Sequence, residues 1–307
     1  MTGILVIKLG ALGDFVMATP AFAAIRAHHK NEKLTLLTIP GLISLARATG
    51  LFDEVLEDPR GAWPIGHWCI AQRLRFSEFK FVYDLQGTTR TAWYWRLLWP
   101  TRPSWAGPVA GCSHPRPSRP QGHRMDWYRA QLAALSITVS ERINLDWLQG
   151  DLRSLQIPAR YVLIVPGGSA HRSEKRWPAA AYTAVARALL NQQITPVLIG
   201  TQVDFEANDF IARQVPQSFN LTDRTSLGQL ASLARGALAA IGNDTGPMHV
   251  IAAAGAPTVT LFSEASDPGF IGPRGPQVRC VQMSSLRDLA PATVLEALAE
   301  CAGITAS

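Results

Sequence analysis

The stretch Ile241-Gly242-Asn243-Asp244-Thr245-Gly246-Pro247-Met248-His249 runs an apolar segment into an Asp-Thr-Gly turn and then into an alanine-rich helical pattern. A strand that breaks into a helix start leaves backbone N–H groups without intrahelical acceptors, and an anion such as a pyrophosphate can sit there. Thr245 adds a hydroxyl, Gly246 admits a ligand close to the backbone, and Pro247 is tolerated in the first helical turn because no intrahelical N–H is lost. Asp244 has two uses. It can cap the helix, or, since a phosphate would repel it, it can accept hydrogen bonds from sugar hydroxyls.

Two further groups carry chemistry. His171-Arg172-Ser173-Glu174-Lys175-Arg176-Trp177-Pro178 follows the loop Pro166-Gly167-Gly168-Ser169-Ala170. Its cations are either a solvated charged loop or a clamp for a diphosphate that stabilises charge as the group leaves. Gly10-Ala11-Leu12-Gly13-Asp14 follows an apolar run, and Asp14 is either a helix N-cap or a general base at a strand's carboxyl end. His249 is isolated on its helix and reads first as a packed residue.

These groups need elements to hold them, and the pattern supplies two similar series. Apolar runs at 4–9, 34–39 and 81–85 alternate with helical periodicity at 15–28, 42–49 and 89–98. After a Pro-, Arg- and Ser-rich loop around one short strand (100–121) and a helix at 124–135, the series resumes. Strands at 161–165, 196–199, 237–241 and 258–262 alternate with helices at 179–191, 205–215 and 227–235. Alternating strand and helix predicts two doubly wound parallel sheets, an α/β fold with domains at 1–150 and 151–307. Such sheets bind ligands at the carboxyl ends of their strands, in a cleft between the two halves.

Composition narrows the field. Of 307 residues 47% are hydrophobic and 17% charged, enough for a large core. Four separated cysteines offer no CxxC pair and no zinc set, consistent with reduced thiols in the cytoplasm. Lys8 and Asp14 interrupt the apolar N-terminal stretch, which argues against a signal peptide. Between Arg60 and Arg124 ten Lys/Arg stand against Glu78 and Asp84, and Trp93, Trp95, Trp99 and Trp105 lie among them. That stretch is either a solvated basic face with packed tryptophans or a surface for an anionic substrate or membrane. No nucleic-acid-binding signature accompanies it, so nucleic acid is not expected as a partner.

Taken in order, Ile4-Leu5-Val6-Ile7-Lys8 with Leu12-Gly13-Asp14 and Thr19-Pro20-Ala21, Asp84-Leu85-Gln86-Gly87, Lys175-Arg176-Trp177-Pro178, Asn243 to His249, and Ser266-Asp267-Pro268 resemble glycosyltransferase family 9, the bacterial heptosyltransferases of lipopolysaccharide core synthesis. The resemblance implies a GT-B fold, with an acceptor-binding N-terminal domain and a donor-binding C-terminal domain whose last helix can pack back on the first. It implies inverting transfer of a heptose from ADP-heptose or a similar nucleotide sugar to the anionic inner core, with no metal or other cofactor. It makes Asp14 the general base, Lys175 the contact to donor phosphates and sugar, and Asp244 the holder of sugar hydroxyls. Thr245 and Gly246 present N–H groups to the pyrophosphate, Ser169 lies near the phosphates, Thr225 lies near the donor base, and His249 is binding or structural. Lys8, Gln86, Arg90 and Arg124 are the acceptor candidates, and a cytoplasmic enzyme peripheral to the inner membrane surface is expected.

Two rivals remain. A nucleotide-dependent dehydrogenase requires a glycine fingerprint followed by an acidic residue, and neither half supplies one. A non-catalytic relative that only binds nucleotide sugars is countered by Asp14, Lys175 and Asp244 being present together.

Overall fold

The computed structural model describes residues 3–61, 64–77, 79–117, 122–168 and 173–304. Two compact units, Met1–Glu141 and Arg142–Ser307, divide the chain.

In the first unit, the apolar run Gly3–Ile7 forms β1 and is buried along its whole length, as a central parallel strand covered on both faces must be. Around it lie β2 (Lys33–Thr38), β3 (Glu54–Glu57), β4 (Phe79–Asp84), β5 (Ser104–Gly107) and β6 (His114–Pro115). The sheet order is β3-β2-β1-β4-β5-β6, with every pairing parallel. Helices α1 (Leu12–His28), α2 (Ile43–Ala48), α3 (Ile65–Phe76), α4 (Thr89–Leu97) and α5 (Arg124–Ala133) complete the unit. The 100–121 segment thus holds two short strands where one was expected.

The second unit repeats the plan. Its strands are β7 (Tyr161–Val165), β8 (Thr195–Leu198), β9 (Phe219–Asn220), β10 (Ala239–Asn243), β11 (Thr258–Phe262) and β12 (Val278–Gln282), ordered β12-β11-β10-β7-β8-β9 and all parallel. Its helices are α6 (Ala179–Asn191), α7 (Phe205–Gln214), α8 (Leu227–Gly236), α9 (Gly246–Ala253), α10 (Pro268–Ile271) and α11 (Pro291–Ala302). Each sheet therefore has the doubly wound order in which the winding direction reverses beside the first strand, between β1 and β4 and between β7 and β10.

The two compact units divide between residues 141 and 142. Residues 142–150 strap α8, whose Arg235 guanidinium donates to the carbonyls of Leu145 (2.6 Å) and Leu148 (3.0 Å), while the Gly150 N–H donates to Ser232 Oγ at 2.9 Å. The last helix, α11, packs on the second unit's own sheet: Val294, Ala297 and Leu298 join the core beneath β10 and β11 and against α6. Among the described residues no helix is long and apolar enough to cross a membrane.

Candidate functional site

At the first reversal point the chain leaves β1 through Lys8, Leu9 and Gly10 and enters α1. Ala11 is the N-cap, so Asp14 lies in the first turn and is not the capping residue. Its side chain keeps 27% of its exposure and has two cations beside it, Lys8 Nζ at 3.9 Å and Arg124 at 3.7 Å from the same Oδ1. Gly10 makes room for this carboxylate. A Cβ there would lie 2.5 Å from Asp14 Cβ and 2.7 Å from Oδ2.

The four acceptor candidates separate. Lys8 is fully buried, its ammonium 5.3 Å from the centre of the Tyr128 ring and turned toward Asp14. Arg124 opens α5 and lies over Trp127 at 5.3 Å. Gln86 accepts the Leu9 N–H on Oε1 at 3.0 Å, tying the turn after β4 to the end of β1. Arg90 is held by an ion pair of its own. Its guanidinium is forked onto the buried Asp58 (2.9 and 2.7 Å) and donates to the Gly61 carbonyl at 3.2 Å. Burial opposes ionisation of Asp58, yet Arg90, the Tyr94 hydroxyl and the Arg60 amide hold its carboxyl below the usual range.

Beneath Gln86, Asp84 is completely buried, its Oδ1 accepting from the amides of Gln86 (3.1 Å) and Gly87 (2.8 Å). Burial pushes its carboxyl above the ordinary range, against the lowering effect of its hydrogen bonds to Gly87, Thr91 and Gln86. Gln131 of α5 fastens this corner by donating to the carbonyls of Asp84 and Ala106.

At the second reversal point, Lys175 Nζ donates to Asp244 Oδ2 at 2.8 Å, both side chains being nearly buried. The helix after the turn is capped at Thr245, whose side chain makes no capping bond, and neither the Thr245 nor the Gly246 N–H has an acceptor among the described residues. Asp244 is thus paired with a cation and leaves the helix end open to an anion. His249 is buried within α9. Thr225 is half-buried just before Ser226, the N-cap of α8. Ser169 lies outside the described residues.

Sequence reasoning missed the residue that builds this half. Asn243 is fully buried and satisfied at both ends: Oδ1 accepts from Trp177 N (3.0 Å) and Tyr182 Oη (2.9 Å), and Nδ2 donates to the carbonyls of Pro166 (2.6 Å) and Gly167 (3.1 Å). One amide therefore joins the end of β10 to the loop after β7 and to the segment carrying Lys175. The available signal was a polar residue closing a wholly buried strand. Gly242 serves the same junction, since a Cβ there would meet Met248 Sδ and Val165 Cβ, each at 2.7 Å.

Arg176 is also engaged, donating to the Gly168 carbonyl at 2.7 Å. Among the described residues no group of three or more His, Cys, Asp or Glu could hold a metal ion.

The family model of glycosyltransferase family 9 (heptosyltransferase) matches residues 67–290. Lipopolysaccharide heptosyltransferase 2 of Salmonella typhimurium is 33% identical over 146 residues, 40% of this chain and 42% of that protein, so the match spans less than half of the relative. Lipopolysaccharide heptosyltransferase 1 of Pseudomonas aeruginosa is 26% identical over 89% of this chain and 81% of its own. Among solved structures, E. coli heptosyltransferase WaaC with ADP aligns over 97% of this chain and 99% of its own, with a TM-score of 0.78 at 20% identity. E. coli ADP-heptose lps heptosyltransferase II covers 97% and 98% at a TM-score of 0.76 and 22% identity. At these identities the structures establish the fold, the two-unit GT-B architecture.

Proposed function

The chain belongs to glycosyltransferase family 9, and we propose that it transfers a heptose from ADP-heptose, or a closely related nucleotide sugar, to the inner core of a lipopolysaccharide acceptor, with inversion and without a metal. The observation that carries this reading is the Lys175–Asp244 pair, 2.8 Å apart beside the open N–H groups of Thr245 and Gly246. A nucleotide sugar presents a diphosphate next to a ring of hydroxyls. The ammonium and the helix-start amides suit the diphosphate, and the adjacent carboxylate suits the hydroxyls.

In the first unit Asp14 takes the proton from the acceptor hydroxyl as its oxygen attacks the anomeric carbon. The bond from that carbon to the diphosphate breaks, and Lys175 with the Thr245 and Gly246 amides receives the charge of the departing ADP. A single displacement inverts the anomeric centre. Lys8 and Arg124 hold the Asp14 carboxylate between them, and Arg124, the less buried of the two, is suited to the acidic groups of the core. The same reading places the protein in the cytoplasm, peripheral to the inner membrane that carries the acceptor.

The test separates donor from acid–base chemistry. Asp14→Asn should abolish transfer yet keep thermal protection by ADP, whereas Lys175→Ala should lose that protection. Full turnover by Asp14→Asn, or unchanged protection of Lys175→Ala, contradicts the assignment.

A further inference from the structure

Helix α3 presents apolar side chains on two opposite faces. His67, Ile70, Ala71 and Leu74 point into the first unit. Ile65, Cys69 and Phe76, spaced i, i+4 and i+11, share the outer face with Trp68 at its side, and Ile65 is 74%, Trp68 55% and Phe76 81% exposed. A surface helix of a water-bathed protein carries polar residues on that face. Trp99, 65% exposed just beyond α4, extends the stripe from the C-terminal end of α3, because Arg75 donates to its carbonyl at 2.8 Å.

Cations accompany the stripe. Arg73 and Arg96 are exposed, Arg96 lying 5.0 Å from the Trp93 ring. Arg102 is stacked at 3.8 Å from the Trp95 ring and 5.1 Å from that of Trp99. Of the two acidic residues between Arg60 and Arg124, Asp84 is fully buried in the sheet and Glu78 lies outside the described residues. Bulky aromatics projecting to solvent, arginines beside them and a helix lying flat along the surface are the make-up of an interfacial element, aromatic rings at headgroup depth and arginines on lipid phosphates.

The geometry points to α3 and Trp99 as a docking surface for an anionic lipid bilayer. Every strand of the sheet is parallel, so α3 runs opposite to them, and the stripe extends from the carboxyl edge at Ile65, where Asp14 lies, to the amino edge at Phe76. A bilayer along this flank holds the Asp14 edge at headgroup level. The role of the surface, though not its lipid affinity, rests on the reading of a lipid-borne acceptor.

The test is sedimentation of the full chain with vesicles of phosphatidylethanolamine and phosphatidylglycerol, against vesicles of phosphatidylcholine alone. The wild type should pellet with the anionic vesicles, less so in high salt, and Trp68→Ser/Phe76→Ser should bind them about tenfold more weakly. Arg73→Gln/Arg96→Gln should weaken binding to anionic vesicles and leave the phosphatidylcholine control unchanged. ADP protection should survive in all of them, and Phe76→Ser alone serves if the double variant folds poorly. Undiminished pelleting of the aromatic variants, or equal binding to phosphatidylcholine, overturns the proposal. So does a concentration-dependent dimer that Trp68→Ser/Phe76→Ser renders monomeric with no vesicle binding, which assigns the stripe to a second copy. The vesicles hold neither sugar acceptor nor donor, so a failure of heptose transfer leaves this result standing, and a failure of vesicle binding leaves transfer to a soluble core fragment standing.

Discussion

Replacing Asn243 by alanine removes four hydrogen bonds from the interior of the second unit, two accepted from Trp177 and Tyr182 and two donated to Pro166 and Gly167. At about 1 kcal/mol net for each bond, and with the Trp177 N–H and Tyr182 hydroxyl left buried without an acceptor, the loss is about 3–5 kcal/mol. A domain is commonly stable by about 5–15 kcal/mol, so the variant should fold but lie close to the edge. For a unit of this size that corresponds to a fall of roughly 10 °C in Tm. Urea unfolding followed by far-ultraviolet circular dichroism gives the free energy, and an unchanged denaturant slope shows that the same surface unfolds. Tyr182→Phe deletes one donor and leaves Trp177 on Oδ1, so it should cost only about 1 kcal/mol. Because Asn243 also fixes the loop after β7 and the segment of Lys175, Asn243→Ala should weaken ADP protection as well. A destabilisation of Asn243→Ala no larger than that of Tyr182→Phe would refute the reasoning, for the four bonds would then not act as the junction described.

Other perturbations test the first unit. Gly10→Ala brings a methyl group against Asp14 and should lower kcat by about 100-fold while leaving ADP protection intact; an unchanged kcat removes Asp14's orientation from the mechanism. Arg90→Ala strands the buried Asp58 carboxylate and should destabilise the unit by about 3–5 kcal/mol, and in a variant that still folds the acceptor KM should be unchanged, whereas a selective rise in KM restores Arg90 to the acceptor. Asp58, with its folded pKa lowered, contributes stability that is present above an unfolded value of about 3.9 and is lost as pH falls through the folded one. Asp84 runs the opposite way: its raised folded pKa gives stability present below about 3.9 and lost as pH rises through the folded value. Asp84→Asn should therefore gain stability relative to wild type at neutral pH more than at pH 4, and a pH-independent difference in denaturation midpoints counts against the buried acid.

The central strands were plain in the sequence because they are buried on both faces and read as unbroken apolar runs, as in β1 and β7. Edge strands were not. β3 is Glu-Val-Leu-Glu, β9 has two residues, and β12 carries Arg279 and Gln282, since an edge strand need satisfy only one neighbour. Helix α3 escaped notice for the reason that makes it unusual, apolar residues around its circumference that cancel a one-sided periodicity. At the site, the types of Asp14, Lys175 and Asp244 made them candidates, yet the partner of Lys175 lies 69 positions away and only the fold brings the two together. The pairing of Arg90 was equally hidden, since Asp58 lies 32 residues earlier and meets it only through the packing of α4. Asp14 left cap and base open as alternatives, and the position of Ala11 as N-cap withdraws the first.

That none of the described strands is exchanged between the sheets has a consequence for biosynthesis. The described strands of the first sheet end at Pro115 and its last helix at Ala133, ahead of the first residue of the second unit at 142. The emerging chain can therefore set Lys8, Asp14, Gln86 and Arg124 in place while Lys175 and Asp244 are still untranslated. β1 finds β2 and then β4 on its two sides in the order in which the ribosome delivers them, and the nascent N-terminal unit needs no later segment to close its sheet.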